Sequence, residues 1–181
     1  QTHTSRDLTT ALNKLKETQP TLKGIILDLR NNPGGVLGGA IGVVDAFIDK
    51  GLVVYTKARI DESIEKFEAT EGQVLPNIAL LVLVNGGSAS ASEIVAGALQ
   101  DHHRAIIAGT TTFGKGSVQT VLPISEDKGI KLTTARYYTP NGRSIQAEGI
   151  KPDVLIEPAK LEIAKASDGF KEADLKGHLI N

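Results

Sequence analysis

The stretch from Ile78 to Leu99 limits the possible folds of this chain more than any other. Ile78-Ala79-Leu80-Leu81-Val82-Leu83-Val84 is a continuous apolar run, short enough to be a strand buried on both faces. After Asn85-Gly86-Gly87-Ser88-Ala89-Ser90-Ala91-Ser92-Glu93, the residues Ile94, Val95, Ala98 and Leu99 keep helical spacing. The small residues between them mark a sharp strand-to-helix turn that can hold a serine hydroxyl in the open. Ser90 to Glu93 fits a capping box, with Ser90 as N-cap and Glu93 reaching back to it. Ser90 then lies at the positive end of a helix, where backbone N–H groups can stabilise an oxyanion. A serine that only caps a helix satisfies the same pattern, so a catalytic reading needs a second group.

That group lies in Gly109-Thr110-Thr111-Thr112-Phe113-Gly114-Lys115-Gly116-Ser117-Val118-Gln119. Lys115 has no carboxylate beside it in sequence and follows the apolar Ala105 to Ala108. Apolar surroundings disfavour an ammonium, which leaves an amine able to act as a base. A serine paired with such an amine is an alternative to Ser-His-Asp. With Ser90 the middle serine of S-A-S-A-S-E, followed by F-G-K-G-S-V-Q, the chain resembles the carboxy-terminal processing proteases, Ser/Lys endopeptidases of peptidase family S41. The separation, 115 − 90 = 25 residues, is that of the family's dyad and selects Ser90 over Ser88 and Ser92.

Three further stretches carry the resemblance: Asp28-Leu29-Arg30-Asn31-Asn32-Pro33-Gly34-Gly35, Tyr137 to Gln146, and Gly149-Ile150-Lys151-Pro152-Asp153. It implies an α/β fold akin to the crotonase and Clp-protease superfamily, layered sheets with flanking helices and a β-rich C-terminal half. It implies Ser90 as nucleophile, Lys115 as base and Gln119 orienting the amine. The oxyanion hole would be formed by Ala91 N–H and one N–H of the Asn32–Gly35 loop, with Gly35 favoured over Gly34. It implies hydrolysis with no cofactor and no metal. The substrates would be proteins with unstructured C-termini, in the periplasm or cell envelope of a bacterium, cleaved after small apolar residues. A homo-oligomer and an adaptor protein are the further partners it allows. Family members have an apolar strand and a PDZ domain before the helix with which this chain opens. The expectation is therefore a catalytic core over residues 1–158 without its PDZ domain, then a tail over 159–181, helical or disordered.

Composition narrows the rivals. At 181 residues the chain suits one domain, and a net charge of −1 gives no footprint for nucleic acid. No apolar run approaches membrane-span length, and without cysteine the redox compartment is undetermined. No His/Asp/Glu cluster has metal-ligand spacing. Gly109-x-x-x-x-Gly114-Lys115 nearly spells a P-loop, but Gly116 stands where Ser or Thr should bind magnesium, and a strand follows where a helix should. A non-catalytic scaffold of the same fold is the other alternative, and the intact Ser90, Lys115 and Gln119 argue against it. His102 and His103 end the helix after Ser90 and suit its dipole better than a triad, while His3 and His178 lie near the termini. Asp28 and Arg30 are expected to fix the strand end, and Glu93 to be a cap partner.

The remaining elements follow from periodicity. A helix is predicted over Thr4–Thr18, capped by Thr4-x-x-Asp7, with Leu8, Ala11, Leu12 and Leu15 on one face and Pro20 as the stop. Residues 24–29 read as a buried strand, 36–48 as a helix closed by Gly51, 52–56 as a strand and 64–69 as a short edge strand. Beyond Lys115 the pattern turns to β: 117–124, 130–138 and 154–157, with turns at 125–129 and at Asn141-Gly142.

Overall fold

A computed structural model of the chain describes residues 3–60, 63–157, 159 and 176–177; most of the tail predicted over 159–181 lies outside them. Among the described residues three helices and eight strands form an α/β fold with two four-stranded sheets. The first sheet is parallel, in the order β1 (Gly24–Asp28), β4 (Ala79–Val84), β5 (Ile106–Gly109), β8 (Val154–Leu155). The second is antiparallel, in the order β3 (Ile64–Ala69), β2 (Gly51–Ala58), β7 (Gly129–Tyr138), β6 (Ser117–Pro123). The helices are α1 (Thr4–Thr18), α2 (Leu37–Asp45) and α3 (Ala91–Asp101), with α2 packed between the other two.

The core gathers α2 and α3 with the inner face of the parallel sheet and with β2 of the antiparallel one, whose Val53 and Val54 are fully buried. Val82 and Ile107, side by side in register, are fully buried there with Val44, Phe47 and Leu99. Each such side chain contributes about 1.5–3 kcal/mol relative to exposure. On the outer face the register aligns Ile26 with Leu81 and Leu81 with Ile106, yet Ile26 is 66 % exposed and Ile106 54 %. β1 is thus an edge strand and not the buried strand expected, and β4 is fully buried on its inner face only. An apolar run reads the same whether one face is covered or two.

Other expectations shift by local chemistry. α1 spans the predicted residues, but its cap falls on His3, whose carbonyl accepts Asp7 N–H at 3.0 Å, so Thr4 already lies inside the first turn. Only Leu12 of its apolar face is fully buried. α2 stops at Asp45, because Phe47 and Ile48 N–H both turn back to the Val44 carbonyl and tighten the chain. Gly51 opens β2 instead of closing that helix; with φ +120°, a Cβ there would lie 2.8 Å from the His102 ring. Strands β3, β6, β7 and β8 fall within two residues of their predicted limits, with a bulge in β6 between Val118 and Gln119. No helix among the described residues is long and apolar enough to cross a membrane.

Candidate active site

Two loops leave the same end of the parallel sheet, one after β1 and one after β4, and side chains sew them together. Asn85 Oδ1 accepts Asn31 N–H and Gly87 N–H, each at 2.9 Å, and its Nδ2 donates to Asn31 Oδ1 at 3.0 Å. Ser88 Oγ donates to the Leu29 carbonyl at 2.7 Å, and Ser92 Oγ to the Asn32 carbonyl at 3.0 Å. Both serines are buried, so their hydroxyls serve the scaffold, while Ser90 between them is only half-buried. Arg30 forks onto Asp28 at 2.7–3.2 Å, as expected of a strand-end clamp. The guanidinium hydrogen bonds hold the Asp28 carboxyl at about 2.

Ser90 is the N-cap of α3 with φ 55° and ψ −115°. Such a backbone is strained for a residue with a Cβ, and this is the strand–turn–helix arrangement that exposes a nucleophile. Its N–H donates to Glu93 Oε2 at 2.8 Å, the expected half of the capping box. Glu93 does far more than cap. Its carboxylate is fully buried and accepts three further donors: Thr112 Oγ1 at 2.5 Å, Gly114 N–H at 2.6 Å and Lys115 N–H at 2.8 Å. Four donors and the helix N-terminus offset the cost of burying that charge.

The backbone around Lys115 is held from the other side by the Tyr137–Gln146 stretch and the residues next to it. Gly116 N–H donates to Gln146 Oε1 at 3.1 Å, Ala147 N–H to the Gly114 carbonyl at 2.9 Å, and Tyr137 N–H to the Gly116 carbonyl at 2.7 Å. Gly114 has φ +90°, and a Cβ there would lie 3.2 Å from Ala147 backbone. The loop thus fixes where the half-buried Lys115 side chain begins. Among the described residues, Lys115 Nζ makes no hydrogen bond, either to Ser90 Oγ or to Gln119. Gln119 lies exposed at the β6 bulge. The structure brings Ser90 and Lys115 together through their backbones, with the amine not bonded to the hydroxyl.

Gly34 is pressed against the serine turn. At φ +93°, a Cβ would lie 2.7 Å from Ala91 N and 2.6 Å from the Ala89 carbonyl oxygen. Its own N–H donates to Asn32 Oδ1 at 3.0 Å. Among the described residues, Gly35 N–H and Ala91 N–H have no hydrogen-bond partner. A cavity of about 550 Å³ opens beside these groups, walled by Gly35, Ala91, Val95, Val43 and Leu8. The histidines are elsewhere. His102 caps the far end of α3 with its Nε2 2.7 Å from the Leu52 carbonyl, about 18 Å along the helix from Ser90. Lys115 leads into strand β6, which removes the P-loop reading. Sequence reasoning missed the Asn31–Asn85 pair and the Glu93 links to Thr112 and Gly114, because no periodicity marks contacts between residues so far apart in the chain.

The family model for peptidase family S41 matches residues 1–156. A carboxy-terminal-processing protease of Bartonella bacilliformis is 51% identical over 179 residues, 97% of this chain and 41% of the relative. A carboxyl-terminal-processing protease of Synechocystis sp. is 42% identical over 160 residues, 88% of this chain and 36% of the relative. The photosystem II D1 C-terminal processing protease superposes with a TM-score of 0.80 at 37% identity, covering 87% of this chain and 40% of that one. The chain therefore spans about two fifths of the length of these relatives. Its matched length and identity place it plainly: the chain belongs to peptidase family S41.

Proposed function

We propose that the protein is a serine endopeptidase that processes the C-terminal regions of other proteins with a Ser90/Lys115 dyad. The observation that supports this best is the shared Glu93 carboxylate, which holds the backbone N–H of both residues on one oxygen. Neutral Lys115 takes the proton of Ser90, whose oxygen attacks the scissile carbonyl to give an acyl-enzyme and release the amine product. Water then hydrolyses the ester. Catalytic hydrogen bonds are commonly long without substrate and tighten in the Michaelis complex, so the step requires the Lys115 side chain to turn onto Ser90. Gln119 is assigned to orient the amine in that closed form. The unpaired N–H groups of Gly35 and Ala91 are assigned to the oxyanion. The substrates we assign are proteins with unstructured C-termini in a bacterial periplasm or envelope. The relatives named for carboxy-terminal processing support the C-terminal site of cleavage.

The test compares the parent with Ser90→Ala, Lys115→Ala and Lys115→Arg on β-casein, an unstructured protein. Guanidinium cannot shed its proton, so all three variants should lose at least about 100-fold in turnover. Parent-like turnover in Lys115→Ala would remove the dyad.

A further inference from the structure

Thr112 takes no part in the hydrolysis just described, yet it is a buried polar side chain at the centre of the site, 6% exposed. Its hydroxyl has both capacities committed. It donates to Glu93 Oε1 at 2.5 Å and accepts the Ile150 N–H at 2.7 Å. Its backbone N–H donates to the Ile150 carbonyl at 3.2 Å. Gly149 closes over this joint: with φ +67°, a Cβ there would lie 2.6 Å from the Thr112 carbonyl oxygen. One hydroxyl therefore connects the carboxylate that holds both Ser90 and Lys115 to the segment around Ile150, next to residues that brace Gly114 and Gly116.

We propose that Thr112 is a positioning residue of the peptidase site, acting through Glu93 to set the spacing between Ser90 and Lys115. The inference rests on the Ser/Lys reading above. Without the hydroxyl, Glu93 Oε1 keeps only Gly114 N–H, and the buried Ile150 N–H loses its partner. The loop that carries Lys115 then shifts relative to Ser90, and a displacement of about 1 Å is enough to cost about 100-fold in rate. A hydroxyl that only satisfied buried groups would instead lower stability and leave the turnover of the folded protein unchanged.

The experiment measures kcat and KM on β-casein with the intact protein, at a temperature where circular dichroism shows each variant folded. Thr112→Val, which keeps the shape, should lower kcat by about 10- to 100-fold with KM close to the parent. Thr112→Ser should restore kcat. The effect of Thr112→Val combined with Glu93→Gln should be less than additive, because both break one link; additive effects overturn the route through Glu93. Folded Thr112→Val with parent kcat overturns the proposal, while an inactive Lys115→Ala in the same assay leaves the dyad standing. An active Lys115→Ala overturns the dyad and this inference with it. If the valine variant does not fold, Thr112→Cys, with its weaker donor, is read instead, and a parent kcat there overturns the proposal.

Discussion

Ser90 and Lys115 donate their backbone N–H groups to the same oxygen of Glu93, each at 2.8 Å. A side chain from the first turn of α3 thereby fixes the separation of two loops that arise on different strands, β4 and β5. The arrangement is electrostatic as well as geometric. The buried carboxylate has no water to solvate it, so its free energy depends on these donors remaining in place.

Glu93→Gln should therefore destabilise the protein by about 1.5–3 kcal/mol, the usual worth of hydrogen bonds to a charged group. The amide presents an NH₂ where an oxygen now accepts two donors, so one pair must separate. Urea denaturation gives the stability, and an unchanged midpoint with unchanged slope would show that the four bonds contribute nothing net. Turnover should fall with it, because Lys115 N–H loses its anchor.

Gly34→Ala tests the oxyanion side. Its φ of +93° excludes most side chains, and the added Cβ would meet backbone, not a flexible side-chain end. The Asn32–Gly35 loop must then move away from Ala91. Losing one oxyanion donor lowers kcat by about 10²–10³, so the variant should be folded and nearly inactive, with KM little changed. Parent-like kcat would mean that this loop supplies no donor.

The His102→Ala, His103→Ala double variant should keep the parent turnover. His102 makes a bond to the Leu52 carbonyl at the end of α3 away from Ser90, so its loss costs stability of about 0.5–1.5 kcal/mol. A calorimetric melt and a β-casein assay on the same preparation separate the two effects. Abolished turnover in the folded double variant would return a histidine to the mechanism.

Much of this is legible in the sequence itself. The apolar run at Ile78–Val84, the small-residue turn and the spacing of Ile94, Val95, Ala98 and Leu99 define strand, turn and helix, because each is a local pattern. Glu93 reads in the sequence chiefly as a cap partner, with a supporting role in the site as the lesser reading. Its bonds to Thr112, Gly114 and Lys115 bridge 19 to 22 residues and depend on where β5 enters the sheet. The exposure of Ile26 was hidden for a different reason: periodicity records which side chains are apolar, not whether anything covers the second face. The end of α2 followed a local competition for the Val44 carbonyl that no residue type announces.

The last prediction concerns pH. Hydrolysis should accelerate from neutral towards alkaline pH, because the base works only after shedding its proton. The charged groups beside the loop cannot produce that rise. Asp28 is held at about 2 by Arg30, below its ordinary 3.8, and the guanidinium is raised in turn, so both stay ionised across the assay range. For stability the sign is the opposite of a base. A folded carboxyl held below its unfolded value stabilises the protein above the unfolded value, and that contribution disappears as pH falls through about 2. The Asp28–Arg30 clamp therefore makes stability pH-dependent only between about pH 4 and 2, and above that window its contribution is constant. Asp28→Asn should flatten that acid limb while leaving the alkaline rise in rate at the same position. Lys115→Arg should remove the rise altogether, since a guanidinium keeps its proton throughout this range. The decisive measurement is kcat/KM from pH 5 to 10 on the parent and these two variants. If the rise persists in folded Lys115→Arg, another group is the base. If it moves in Asp28→Asn, the clamp is coupled to the dyad in a way its exposed position does not explain.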